Sequence, residues 1–189
     1  MRMIRLSRLV LRPMPPHTGR APPLRPVHAP EGVTEMAVDS IFMMPHLGVL
    51  SSVHPKAAEQ VFDRDCLVYL GTCVCAAGQP KPGKSCFKYE LTGDRTASGE
   101  IAGGEMDLLP LEQEETGTIT LTPSRGIDLG EGPGKKVQRT VRGGTVGLIL
   151  DGRGRPLSLP EERASCQSTV QGWLDALDVY EEESQTVGA

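Results

Sequence analysis

Eight residues, Gly78-Gln79-Pro80-Lys81-Pro82-Gly83-Lys84-Ser85, spell G-x-x-x-x-G-K-S. That spacing belongs to a loop that wraps phosphate oxygens in backbone N–H groups, with its lysine on the phosphates and its serine on magnesium. Asp151 ends the apolar run Leu148-Ile149-Leu150, where a carboxylate that steadies the ion would stand. Gly78, Gly83, Lys84, Ser85 and Asp151 thus define one candidate function, a small P-loop nucleotide-binding protein. The local chemistry opposes it. Pro80 and Pro82 carry no N–H donor. The segment after Ser85, Cys86-Phe87-Lys88-Tyr89-Glu90-Leu91, alternates with period two and meets a turn at Thr92-Gly93-Asp94. That predicts a strand, whereas the phosphate cradle needs the N-terminus of a helix. A parallel crossover would need about a dozen residues of helix there. The stretch is read as an exposed Pro/Gly loop between two strands. Gly130-Glu131-Gly132-Pro133-Gly134-Lys135-Lys136 could form an anion nest beside two lysines, but it too lacks a helix after it.

The other reactive side chains are scattered. Five cysteines (66, 73, 75, 86 and 166) are an odd number, and no secretory signal is evident. Reduced thiols and a cytoplasmic location are the expectation. Cys73-Val74-Cys75 puts two sulfurs on one strand face. With Cys86 or His46 they could ligate zinc, but the paired C-x2-C knuckles are missing. A cysteine nucleophile served by His46 or His54 has no evident orienting acid. The cysteines are expected as small buried hydrophobes, His46 as packed, and His54 as a helix N-cap. Arg139, Arg142, Arg153 and Arg155 cluster late in the chain. They read as a solvated face, with a contact site for an anion or an acidic partner as the other reading. No catalytic residue, cofactor or metal is assigned.

Elements must position these groups. Residues 34–38 alternate weakly, as a short strand does. Residues 46–53 repeat Leu47, Leu50 and Val53 after Pro45, and Pro55 opens a second short helix containing Ala58, Val61 and Phe62. Residues 66–74 are nearly all apolar, a buried strand. Strands are also expected over 86–91, 105–111, 117–122, 137–141 and 145–150. Last, residues 161–180 place Cys166, Val170, Trp173, Leu174 and Leu177 on one helical face, with Trp173 as anchor. Glu161 and Glu162 lie at the start of that helix, the end of the dipole that favours acids.

The chain has 189 residues, with 20 Lys+Arg against 24 Asp+Glu and a net charge of -4. It is long enough for one real core. Aromatics are only 4%, so aliphatic side chains must fill that core. Charge is uneven. Residues 1–30 contain six arginines, seven prolines and no acid. Taking away those six leaves 14 basic against 24 acidic residues, a balance of -10. Nucleic acid is therefore a disfavoured partner. No run reaches the roughly 18 to 20 apolar residues that a membrane span needs. Within the tail, Arg2, Arg5, Arg8 and Arg12 recur at helical spacing, as in a transit peptide or a surface-lying helix. The preferred reading is a disordered basic, Pro-rich leader over 1–30, then one domain over 31–180 and an acidic, frayed end over 181–189.

Three strings together resemble a known family. The first runs from Gly32-Val33-Thr34 through Met44-Pro45-His46-Leu47-Gly48. The second is Val61-Phe62-Asp63-Arg64-Asp65-Cys66-Leu67-Val68-Tyr69-Leu70-Gly71-Thr72. The third, and most distinctive, is Gly143-Gly144-Thr145-Val146-Gly147-Leu148-Ile149-Leu150-Asp151-Gly152-Arg153-Gly154-Arg155-Pro156-Leu157, with Leu159-Pro160 after it. They are similar to the C-terminal region of the MutL-like accessory proteins of glutamate mutase (methylaspartate mutase). Full-length relatives carry an actin-like ATPase core ahead of this region. The phosphate-binding signature of that core has no counterpart here, so no nucleotide-binding residue is carried over. The resemblance implies a detached or truncated accessory module, and it puts residues 78–85 in a variable connection.

The expected fold is α+β and β-dominated. It is a largely antiparallel sandwich or open barrel, with two short N-terminal helices and one C-terminal capping helix. The expected function is a non-enzymatic accessory or interaction module that docks on protein, with an actin-like ATPase core on another chain as its partner. Arg153 and Arg155 are its contact candidates, together with an exposed apolar patch. A remnant with no independent function is a third reading, marked by instability of the isolated chain.

Overall fold

A computed structural model of the chain describes residues 9–13 and 30–177. Most of its strands come from segments with a period-two or continuous apolar pattern, and they form two sheets. In spatial order the first sheet is β1 (Leu9–Pro13), β2 (Gly32–Asp39), β3 (Leu67–Cys75), β9 (Gly147–Asp151) and β6 (Met106–Leu109). The second is β5 (Ala97–Ala102), β4 (Ser85–Gly93), β7 (Thr116–Pro123) and β8 (Val137–Arg142). Every neighbouring pair is antiparallel except β3 and β9.

The sheets stay separate, so the architecture is an open sandwich, not a closed barrel. Alternation puts Phe87, Tyr89 and Leu91 of β4 inward, with Ile119 and Leu121 of β7 beside them. They share one buried cluster with Val33, Val74, Leu148 and Leu150 of the first sheet. Thr72 of β3 ties the layers directly, its hydroxyl donating to the Arg142 carbonyl of β8 at 2.8 Å. The parallel β3–β9 register begins at Gly71 opposite Gly147. Gly71 has a φ of +134°, and any Cβ there would run into the Gly147 backbone. The close approach of these two strands therefore requires glycine.

Two short helices come after β2. α1 (Met44–Ser51) has Pro45 in its first turn, and α2 (Pro55–Val61) starts on Pro55. A π-helical turn (Phe62–Cys66) leads into β3. Leu47, Ala58 and Cys66 form a second, smaller core, with Met43 and Phe62 packed against it. α3 (Arg163–Ala176) closes the described chain.

Several boundaries move. Cys66 belongs to the π turn, so the buried strand starts at Leu67 and runs through Cys75. The last helix starts at Arg163, which leaves Glu161 and Glu162 outside its first turn. β5 has no counterpart among the expected strands. The helical spacing over 1–12 is not what residues 9–13 adopt, because they pair with β2 as a strand. The rest of that tail and the acidic end over 181–189 lie outside the described residues. Among the described residues, no helix is long and apolar enough to cross a membrane.

Candidate functional site

Residues 78–85 join the two sheets, from the end of β3 into β4. Three of their backbone donors are bonded within the fold, and Pro80 and Pro82 have none. Gly78 N–H bonds the Arg155 carbonyl at 3.1 Å, Gly83 N–H the Gly103 carbonyl at 3.1 Å, and Lys84 N–H the Lys81 carbonyl at 3.0 Å. Ser85 opens β4 and pairs with Ala102. The residue after it continues a strand, so no helix dipole points at the loop. Lys84 and Ser85 are exposed. The second glycine-rich loop is also filled from within. Asp128 Oδ1 accepts from Gly130 N–H at 2.7 Å and Gly132 N–H at 2.8 Å. An internal carboxylate occupies the nest where an external anion would sit.

Asp151 does not face the loop lysine. It stands in register beside Cys75 at the end of β9 and is fully buried. Arg153 Nη2 and Arg155 Nη2 each donate to its Oδ2 at 2.7 Å, and Arg153 Nε donates to its Oδ1 at 2.9 Å. Burial alone would raise this carboxyl. The hydrogen bonds and charge of Arg153, joined by those from Arg155, outweigh that and hold it below its ordinary 3.8. Burial also opposes the charge on Arg155, but Asp151 holds its pKa above the usual value. Arg155 Nε is buried with no hydrogen-bond partner.

Arg153 and Arg155 are therefore not an exposed contact turn. Arg155 is buried inside an ion pair, and Arg153 divides itself between Asp151 and the Trp173 ring, 4.6 Å from its centroid. The solvated face expected over the four arginines fails at Arg139 too. Its side chain is largely buried and ion-paired with Glu131. Arg142 is the exposed member, and it lies 4.5 Å over the Tyr69 ring.

Cys73 and Cys75 do share a strand face, with sulfurs 3.2 Å apart. Cys75 Sγ lies 3.9 Å from Asp151 Oδ2 and 3.7 Å from Arg155 Nη2. All five cysteines are free thiols. The Cys73 hydrogen bond, then burial, raise Cys75 well above the usual thiol value. Burial, then the charge on Asp151, push Cys86 up to about 11. Burial raises Cys66 as well. None of these three is an activated nucleophile, since the thiolate is the reactive form. Among the described residues, no three His, Cys, Asp or Glu side chains are placed to hold a metal ion. His46 is exposed rather than packed. His54 occupies the N-cap position of α2, but its side chain makes no capping bond.

The α1–α2 layer holds the remaining candidate surface. Asp39, buried at the end of β2, shapes its entry. Its carboxylate accepts from Ile41 and Met43 N–H through Oδ1, and from Met44 N–H at 3.0 Å through Oδ2. Burial raises Asp39, yet the backbone donors from Met44, Met43 and Ile41 prevail and lower it. This clamp turns Ile41 and Phe42 outward, 58% and 50% exposed. α1 buries only Leu47. Val49 and Val53 are 74% and 70% exposed, and Met44 and Leu50 are also exposed. Residues 40–55 include no Asp, Glu, Lys or Arg. Singly exposed aliphatics are ordinary, but so many within the charge-free stretch over residues 40–55 make this face the remaining candidate surface.

No protein-family model, no curated protein and no solved structure matches this chain.

Proposed function

We propose that this protein is a non-enzymatic accessory module that acts by docking on another protein through the α1–α2 hairpin. The observation that carries the reading is the outward, charge-free set Ile41, Phe42, Val49 and Val53. Interface cores are depleted in charge and more apolar than the rest of the surface. The arrangement of residues 78–85 supports it from the other side, because the N–H groups of Gly78, Gly83 and Lys84 are bonded internally and a strand, not a helix, follows Ser85. The partner class comes from the resemblance to the C-terminal region of the glutamate-mutase MutL-like accessory proteins. It is an actin-like ATPase core on a separate chain. The free thiols fit a cytoplasmic module. The acidic balance beyond residue 30 fits a protein partner better than nucleic acid.

Two titrations of the full chain test this. Mg-ATP added to the purified protein gives no saturable signal. The ATPase core of a MutL-like accessory protein binds it, and binding falls at least about tenfold in Val49→Asp/Val53→Asp, because the contact would have to bury two unpaired carboxylates. Saturable Mg-ATP binding that disappears in Lys84→Ala would instead make residues 78–85 the functional site.

A further inference from the structure

α3 is joined to the sandwich by very little. None of its residues is buried, and the element it lies against is β6, the edge strand of the first sheet. Its own sequence does not sustain it. The helix has no acidic residue in its first turn, no basic residue in its last, and no side-chain cap at Glu162. Gly172 interrupts it, and Thr169 and Val170 are β-branched. A helix of about 14 residues with such a composition is marginal in water by itself. What holds it is Trp173. The indole Nε1 donates to the Gly104 carbonyl at 2.8 Å, and the ring lies under the Arg153 guanidinium. Arg153 is fixed in turn by Asp151. The other residues of the apolar stripe, Cys166, Val170, Leu174 and Leu177, are only half covered.

We propose that α3 is a releasable strap, with Trp173 as its latch and Arg153 as the keeper. It undocks as a unit while both sheets stay folded. Release bares the Val170–Trp173–Leu174–Leu177 stripe, the pattern a helix presents to an apolar groove. It also uncovers the Gly104 carbonyl beside β6. The two-sheet core does not depend on the strap, because α3 contributes nothing to either buried cluster. This inference stands apart from the docking surface on α1–α2.

Trp173 is the single tryptophan of the chain, so its emission reports the latch alone. In a urea titration of the full-length protein, the red shift of that emission precedes the loss of β-sheet circular dichroism by about 0.5 M or more. By native-state hydrogen exchange, the amides of α3 exchange at least about 100-fold faster than those of β4 and β7. In Trp173→Ala, exchange in α3 rises further while β4 and β7 keep their protection. Coincident urea transitions with uniform protection would overturn the proposal. So would a Trp173→Ala chain that fails to fold, or one that loses protection equally throughout, because either makes the helix integral to the core.

Discussion

Replacing Asp151 by Asn removes one charge and almost no volume, so the change isolates the buried ion pair. Two guanidinium groups lose their counterion, and they are not equivalent. Arg153 keeps 18% side-chain exposure and the Trp173 ring. Solvent and the ring therefore compensate part of its loss, and the larger cost falls on Arg155. Arg155 keeps 6% and already has an unpartnered Nε. Stranding a buried charge in this way costs about 3–5 kcal/mol. With a urea m-value of roughly 2 kcal/mol/M for a domain of this size, the unfolding midpoint drops by about 1.5–2.5 M. The assay is equilibrium urea unfolding at pH 7, read by circular dichroism rather than by Trp173 emission, which follows α3 alone. Adding Arg155→Met to Asp151→Asn removes the stranded charge and recovers at least half the loss, as a double-mutant cycle would register. A midpoint shift below about 0.5 M, or a double variant no more stable than the single one, would refute the buried-pair reasoning.

The same chemistry sets two further outcomes. The Asp151 and Asp39 carboxyls are both held below 3.8 in the folded chain. A depressed folded value gives stability that is present above the unfolded pKa and lost as pH falls through the folded one. The urea midpoint therefore falls as pH is lowered through and below 3.8, and Asp151→Asn flattens that decline; an identical slope in wild type and variant would contradict it. For the thiols, Cys66, Cys73, Cys75 and Cys86 are buried and Cys166 is half exposed. A thiol reagent under native conditions modifies Cys166 first, and the other four react only on unfolding. Early labelling of Cys86, read by peptide mass, would show that the start of β4 opens more readily than its packing implies.

The strands are legible where side chains alternate or run apolar: β4 from Phe87, Tyr89 and Leu91, and β7 from its threonines and isoleucine. β5 is hidden because Ala97-Ser98-Gly99-Glu100-Ile101-Ala102 has little intrinsic preference for a strand. Its pairing with β4 makes it one, with Tyr89 lying over Gly99, where any side chain would clash with the ring. Such long-range pairing leaves no local mark. Residues 78–85 are legible as a connection from Pro80, Pro82 and the period-two pattern of Cys86–Leu91. Asp151 differs in meaning rather than position. An acid ending an apolar strand suggests an ion site, and arginines in a glycine-rich turn suggest a surface. Their spacing across a Gly-Arg-Gly-Arg turn lets both bend back onto one carboxylate, and that is the signal the sequence offers. Asp39 carries a similar clue: an acid ahead of the uncharged run Ile41-Phe42-Met43-Met44, from which it collects N–H groups. His46 sits among apolar neighbours, which points inward, but α1 is covered on one side only.

The position of β9 has a consequence for how the polypeptide is made. It starts at Gly147, later than every other strand among the described residues, yet it sits between β3 and β6. While the ribosome is still short of that point, β3 has one open edge and β6 has no neighbour in its sheet. Exposed edges of this kind recruit other chains. A message truncated anywhere between β6 and Gly147 thus yields a sticky, half-zipped product, and completion of the first sheet waits for β9 to be made.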